Sequence, residues 1–366
     1  MPRLVVIGAG VMGASVAWRA AQAGAEVTVL EAGRIGGGTS GCSFAWTNSS
    51  DKIPRAYHDL NVAGMKAHAA LAEELWSTPW WHGGGSVEWR APEDLQAQQA
   101  KVERLRAWGY AAEWITPRQL QDLEPDIDPA RVGEAPIAYY PEEGWLDPVV
   151  YIGAMLGLAR ERGAKVIASA SVAETVISGG RMTGVKTRDG TLFEADVVVN
   201  CAGRWANDPV SEAGLHLPLA PTMGLLGFTP PVPARVGRVV RAPEIHTRPD
   251  GAGRLVCIAP TEQVPGFDPR PSVAIPEVRE LARRLRRLLP VIGEVEAEAA
   301  RMAIRPIPGD SYSAVGSVPR VEGYYVAITH SGVTMSPFLG KAVADEIVDG
   351  RQCAALADFR PARFFN

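Results

Sequence analysis

The 366-residue sequence predicts an α/β chain in two parts, a parallel-sheet nucleotide domain and an α+β domain built on an antiparallel sheet. Three observations predict it. A strand–glycine turn–helix–strand unit opens the chain, and a second buried apolar strand ending in small residues recurs at 196–205. Elsewhere, proline-rich runs hold many short stretches of β character, as in an antiparallel sheet.

In the opening unit, Leu4-Val5-Val6-Ile7 is wholly apolar, as a strand buried on both faces requires. Gly8-Ala9-Gly10-Val11-Met12-Gly13 follows as G-x-G-x-x-G. Gly8 permits the tight turn, Gly10 admits a pyrophosphate to the backbone, and Gly13 lets helix and strand pack closely. Val11 and Met12 lead into a helix read over Ala14 to Ala23, whose free N–H groups and positive dipole end suit phosphate. Glu26 to Leu30 is the second strand, and Glu31, 18 residues after Gly13, stands where a ribose hydroxyl would donate to it. The unit is of Rossmann type.

Composition excludes several classes. Hydrophobic residues at 46% and charged residues at 21% are those of a globular protein, and a net charge of −4 gives no reason to expect nucleic acid. The densest basic run, Arg279 to Arg287, alternates with Val278, Leu281, Leu285 and Leu288, so it reads as the wet side of an amphipathic helix over Pro276–Leu289. Cys42, Cys201, Cys257 and Cys353 are scattered without a C-x-x-C pair, which predicts neither a metal site nor a disulfide framework and fits a reducing cytoplasm. The first apolar run is too short for a signal peptide, and no run reaches the ~18 residues of a membrane helix. The oligomeric state is left open.

After Glu31, the loop Ala32 to Gly41 is too glycine-rich for a regular element, and it can bring backbone N–H groups and the Thr39 and Ser40 hydroxyls to a phosphate. It runs into the apolar stretch Cys42 to Asn48. Helical patterns cover 54–75, 92–109 and 116–123, with strands expected at 86–89 and 112–115. Trp76, Trp80, Trp81, Trp89, Trp108 and Trp114 crowd this region, as core filling or as the wall of an apolar chamber suited to a hydrophobic or cyclic substrate. A turn at Ala138 to Pro148 leads into a helix through Arg162. A strand at 165–170 and a small antiparallel sheet at 172–194 follow. Strands are expected at 225–229, 236–240, 244–248 and 254–259, and a last helix over Phe338 to Asp349.

The glycine-rich segment after a fingerprint ending in Glu31, the strand Asp196 to Asn200 running into Cys201-Ala202-Gly203-Arg204-Trp205, and Arg301 to Asp310 with its Arg305-Pro306 step together resemble one family. It is that of the FAD-dependent amine and amino-acid oxidoreductases, the group of D-amino-acid oxidase, glycine oxidase, sarcosine oxidase and the D-amino-acid dehydrogenases. The resemblance implies an α/β fold with a Rossmann-type FAD-binding domain and an α+β antiparallel-sheet substrate domain, D-amino-acid-oxidase-like. It divides the chain into 1–75, 145–215 and 301–366 for FAD, and 76–144 and 216–300 for substrate. It implies that Ala32, Arg34, Gly38, Thr39 and Ser40 touch the nucleotide end and that Ser43, Phe44, Ala45 and Trp46 approach the flavin ring. Val172 would hold the adenine by its backbone, Cys201, Ala202, Gly203 and Trp205 would form the second contact strand, and Ser331, Gly332, Val333 and Thr334 would face the pyrimidine end.

The implied activity is oxidation of the C–N bond of an amino acid or secondary amine, with oxygen or another electron acceptor downstream. Arg305 is the expected carboxylate anchor, since a guanidinium grips a carboxylate through two parallel hydrogen bonds. His330 and His246 are candidates for contact with substrate or flavin, against the alternative of satisfied core histidines, and Trp46 and Asn48 for the pocket wall. Residues 301–316 hold no cysteine, and Gly41-Cys42 stands where related enzymes carry a linking histidine, so FAD is expected to be non-covalent. No lysine lies between Lys186 and Lys341, so the oxygen-activating lysine of sarcosine-type oxidases has no counterpart on that sheet. Two alternatives compete: an NAD(P)-dependent opine or hydroxy-acid dehydrogenase, which would need no second contact strand, and a flavoprotein subunit of a larger dehydrogenase.

Overall fold

The structure, a computed structural model, describes residues 1–210, 213–220, 222–260 and 266–365. Its helices are α1 (Val11–Gln22), α2 (Arg55–Leu75), α3 (Leu95–Ala107), α4 (Pro117–Leu123), α5 (Pro148–Glu161), α6 (Pro276–Leu288) and α7 (Gly332–Val348). No helix among the described residues is long and apolar enough to cross a membrane.

The strand Arg3–Ile7 sits inside a six-stranded sheet, between Val197–Asn200 and Glu26–Leu30, both parallel to it. Lys165–Ile167 extends the sheet on one side; Tyr324–Ile328 and then antiparallel Ala314–Ser317 extend it on the other. Its all-apolar sequence serves two cores. Leu4 and Val6 enter one built with α1, α2, α5 and α7, while Val5 and Ile7 enter another built with the small sheet Val172–Ser178, Arg181–Thr187 and Leu192–Glu194. Each such side chain contributes about 1.5–3 kcal/mol on full burial. Gly13 is required here, because a Cβ would fall 1.9 Å from the Gly8 carbonyl oxygen.

The second large sheet has eight strands in the order Ala299–Arg305, Thr222–Phe228, Leu255–Ile258, His246–Pro249, Val239–Arg241, Ser86–Glu88, Ile137–Tyr140 and Glu113–Ile115. All neighbours are antiparallel except Val239–Arg241 with Ser86–Glu88. One face receives α6, whose Val278, Leu281 and Leu285 pack with Val87, Leu225, Val240 and Cys257. Strand alternation sends Arg241, His246, Arg248, Arg301 and Arg305 to the opposite face. A small sheet, Trp46–Thr47 with Gly144–Leu146 and Trp81–His82, lies beside it.

Two expectations are corrected. The turn read at 138–148 is two strands, Ile137–Tyr140 and Gly144–Leu146, because each pairs with a segment distant in the chain. The last helix begins at Gly332, not Phe338, and carries Pro337 inside it. Proline has no N–H to give the Val333 carbonyl one turn back; His68 Nε2 on α2 donates to that oxygen instead, at 2.9 Å. The clustered tryptophans divide: Trp80 and Trp89 are core residues, Trp81, Trp108 and Trp114 are half-buried, and Trp76 is 95% exposed.

Candidate active site

A cavity of 930 Å³ runs along the edge of the six-stranded sheet, near the upper end of the usual range of about 300–1,000 Å³ for ligand pockets. Val172 and Arg188 line one end. Gly8, Gly10, Val11 and Met12 form its middle, with Glu31, Ala32 and Arg34 beside them and Gly38, Thr39, Ser40 and Ser43 along the loop. Cys201, Ala202, Gly203 and Trp205 form another wall, and Gly332, Val333 and His330 lie toward the far end. Three glycine turns remote in sequence thus meet in one elongated space, which suits a dinucleotide.

Local geometry fits such a ligand. Gly8 has φ +96°, a conformation that favours glycine. A Cβ on Gly10 would sit 2.9 Å from Ser40 Oγ, crowding the loop that faces the turn. Ser40 Oγ accepts from the Val11 N–H at 3.1 Å, holding the loop to the N-terminus of α1. Glu31 accepts from the Ala9 and Gly33 N–H groups at 2.8 and 2.9 Å, which fixes its carboxylate with lone pairs to spare for a hydroxyl donor. The Thr39 hydroxyl, expected at a phosphate, donates to the Ile304 carbonyl at 2.7 Å, though the residue stays on the wall. Burial pushes the Cys201 thiol up to about 12, so it remains protonated.

Some expected cofactor residues stand behind the wall rather than on it. Gly13 packs against Gly8. Phe44 packs with Leu226, Phe228 and Val256, and its carbonyl accepts from Arg248 Nε. Ala45 is buried with φ +54°. Ser331 Oγ is bonded to Tyr57 OH at 2.9 Å, and Thr334 Oγ1 accepts from the Asn48 N–H at 3.3 Å. Conversely, Ser171, Arg188, Asp208 and Arg270 line the cavity and belong to no motif that would have revealed them.

The candidate substrate residues divide into two groups. Arg305, at the end of its strand, is half-buried with its guanidinium against Gly224, where a Cβ would be 2.9 Å from Nη2. Its side chain has no hydrogen-bond or ion-pair partner among the described residues, and desolvation lowers its pKa. His330 is exposed, on the cavity wall; desolvation there first, then Lys52 and Arg305, depress its pKa to about 3. It is therefore neutral at ordinary pH. Lys52, not singled out from sequence, is likewise half-buried without a partner among the described residues, and burial pushes its pKa down.

Trp46, Asn48 and His246 form the second group; like Arg305, which adjoins the lining residue Pro306, none is itself on the wall of this cavity. The Trp46 ring lies 4.3 Å from Arg241 Cζ, and its Nε1 donates to Glu143 at 3.0 Å. Asn48 Nδ2 donates to the Trp46 carbonyl at 3.2 Å. His246 pairs in register with Arg241, and burial followed by that cation depresses its pKa to about 3. Arg241 itself is held by Asp51 at 2.7 Å and Glu88 at 3.2 Å, and Lys101 bridges the same two carboxylates. Glu143 accepts further bonds from Ser50 N–H, Ser86 Oγ and Tyr110 OH, yet burial still raises its pKa.

The family described as "FAD dependent oxidoreductase" matches residues 3–346. Glycine oxidase of Geobacillus kaustophilus is 26% identical over 375 residues, covering 98% of this chain and 96% of that one. Its crystal structure superposes with a TM-score of 0.87 at 25% identity, covering 99% and 98% of the two chains. D-amino acid dehydrogenase of Cereibacter sphaeroides is 25% identical over 413 residues, covering 95% and 92%. The chain belongs to the FAD-dependent oxidoreductase family, with the fold of glycine oxidase, and not to the nicotinamide dehydrogenases suggested by the fingerprint alone.

Proposed function

From that membership we propose that the protein oxidises the C–N bond of an amino acid, primary or secondary, whose carboxylate is gripped by Arg305. The observation that carries this reading is the guanidinium without a protein partner at the sheet edge beside the cofactor cavity. A desolvated cation with no carboxylate of its own is a site for an anion. Bound FAD supplies the two-electron acceptor for a hydride from the carbon next to nitrogen, and water hydrolyses the resulting imine.

The chain's own share is placement. Arg305 fixes the carboxylate and thereby the direction of the neighbouring C–H bond. His330, neutral, offers a hydrogen-bonding nitrogen without adding charge. In this reading 1–75, 145–215 and 301–366 hold FAD without a covalent bond, while 76–144 and 216–300 close over the substrate. Electrons leave to oxygen or another acceptor.

The test is anaerobic bleaching of the purified yellow protein by a panel of D- and L-amino acids, N-methyl amino acids and simple amines. Bleaching by amino acids supports the proposal; bleaching by simple amines alone would overturn it. Acid precipitation should release all the flavin.

A further inference from the structure

Four arginines among the described residues line the cofactor cavity: Arg34 on the loop after Glu31, Arg188 at the Val172 end, Arg301 and Arg270. Arg301 is committed to the protein, its Nη1 donating to the Gly41 carbonyl at 3.1 Å and its Cζ lying 4.5 Å from the centre of the Phe228 ring. Arg34 and Arg270 are exposed, and neither side chain has a hydrogen-bond or ion-pair partner among the described residues. Arg270 comes from a stretch, 216–300, that holds none of the three glycine turns of the cradle.

Two sets of contacts bring its segment, 266–270, to the glycine-rich loop. On one side the Arg204 guanidinium is held between two exposed rings, its Cζ 4.1 Å from the centre of Trp205 and 4.6 Å from that of Phe267. Trp205 in turn lies against Gly38, where a Cβ would come 3.2 Å from the indole. On the other side the Pro269 carbonyl accepts from the Met302 N–H at 3.4 Å. The strand of Met302 touches the same loop, through Arg301 at Gly41 and through the Ile304 carbonyl at Thr39. The Asp268 carboxylate accepts from the Arg270 N–H at 2.9 Å, which fixes the turn. Arg270 thus reaches the cavity wall near the loop that Ser40 ties to the N-terminus of α1.

That N-terminus and its glycine turn suit a doubly anionic diphosphate. Backbone N–H groups bind phosphate oxygens but leave the net charge in place, whereas a guanidinium binds and neutralises together. On membership of the FAD-dependent family, and not on the amino-acid reading, we propose that Arg270 is a cofactor-binding residue that grips the FAD diphosphate together with Arg34. Arg204, Trp205 and Phe267 clasp its segment in place. Retention of FAD is then shared between both halves of the chain.

The test is FAD release from the yellow holoprotein on dilution, followed by recovery of flavin fluorescence, which gives the off-rate and Kd. Arg270→Met should raise Kd at least about tenfold, mainly through faster release, and Arg270→Lys should lose less because it keeps the charge. Arg279→Met makes the same charge change on an exposed residue of α6 away from the cavity wall, and should stay within about twofold. Raising NaCl from about 50 to 500 mM should weaken FAD binding to the unaltered protein more than to Arg270→Met, since the lost contact is ionic. Phe267→Ala should speed release at least about threefold, yet add little on top of Arg270→Met, because the clasp acts through the arginine. An unchanged Kd in Arg270→Met, an equal loss in Arg279→Met, equal salt dependence or fully additive losses each overturn the proposal. None of these measurements depends on turnover, so the amino-acid reading stands or falls separately, by flavin bleaching.

Discussion

Two arginines on one face of the eight-stranded sheet differ most in their counter-charges. Arg241 is 5% exposed and sits between Asp51 and Glu88, with Lys101 bridging the same carboxylates. Arg305 is less buried and has no carboxylate at all among the described residues. Their pKa values move apart accordingly: the two carboxylates outweigh burial and raise that of Arg241, while burial lowers that of Arg305. Depth alone does not mark a functional cation. A missing counter-charge does, because only that cation gains by binding an anion from outside.

The largest expected effect breaks the comparison from the structural side. Arg241→Ala leaves Asp51 and Glu88 short of a cation in a buried site, a loss of about 3–5 kcal/mol in unfolding free energy. Denaturant unfolding measures it, and an unchanged midpoint would mean Lys101 suffices alone. Arg305→Ala should instead leave stability within about 1 kcal/mol. Its cost falls on catalysis, roughly 2–5 kcal/mol in kcat/KM for carboxylated substrates, and spares the amine lacking the carboxylate. Equal losses on both substrates would put Arg305 on the structural side with Arg241.

The histidines repeat the contrast on a smaller scale. His68 is spent on the Val333 carbonyl with its pKa held near 4 by burial, while His330 faces the cavity. The unfolded His68, near 6.5, binds more protons than the folded one between those values, so stability is complete above pH 6.5 and falls as pH drops toward 4. At pH 5 its share is about 2 kcal/mol, at up to about 1.4 kcal/mol per pH unit. His68→Gln, which can still donate, should flatten that slope in urea unfolding at pH 5 and pH 7. An unflattened slope would assign the acid sensitivity to other groups. The smallest effect sharpens the placement of Arg305. Thr39→Val removes the hydroxyl bond to the neighbouring Ile304 carbonyl, and about 1 kcal/mol of stability with it. FAD retention should stay normal, and loss of FAD would show that the hydroxyl serves the cofactor directly.

Much of the fold was legible because its signals are local. The Gly8–Gly13 turn, α1 and the strand Glu26–Leu30 form one continuous stretch, each read from the residues beside it. The α6 helix was legible for the same reason, its Val278, Leu281, Leu285 and Leu288 recurring on one face. The strands Ile137–Tyr140 and Gly144–Leu146 were not, since they form against Ser86–Glu88 and Trp46–Thr47 far earlier in the chain. Nor was the start of α7, where Pro337 lies inside the helix and a histidine of α2 donates to the carbonyl its missing N–H would have served.

By itself, then, the sequence determined the glycine-turn cradle and the FAD family, since glycine spacing encodes backbone geometry within a few residues. Only the tertiary structure decided which cations are matched. Asp51 and Lys52 are adjacent in sequence, yet Asp51 is ion-paired with Arg241 and Lys101 while Lys52 makes no ion pair among the described residues. Charge pairing in a protein interior falls with distance in space, not along the chain, and no local pattern records it.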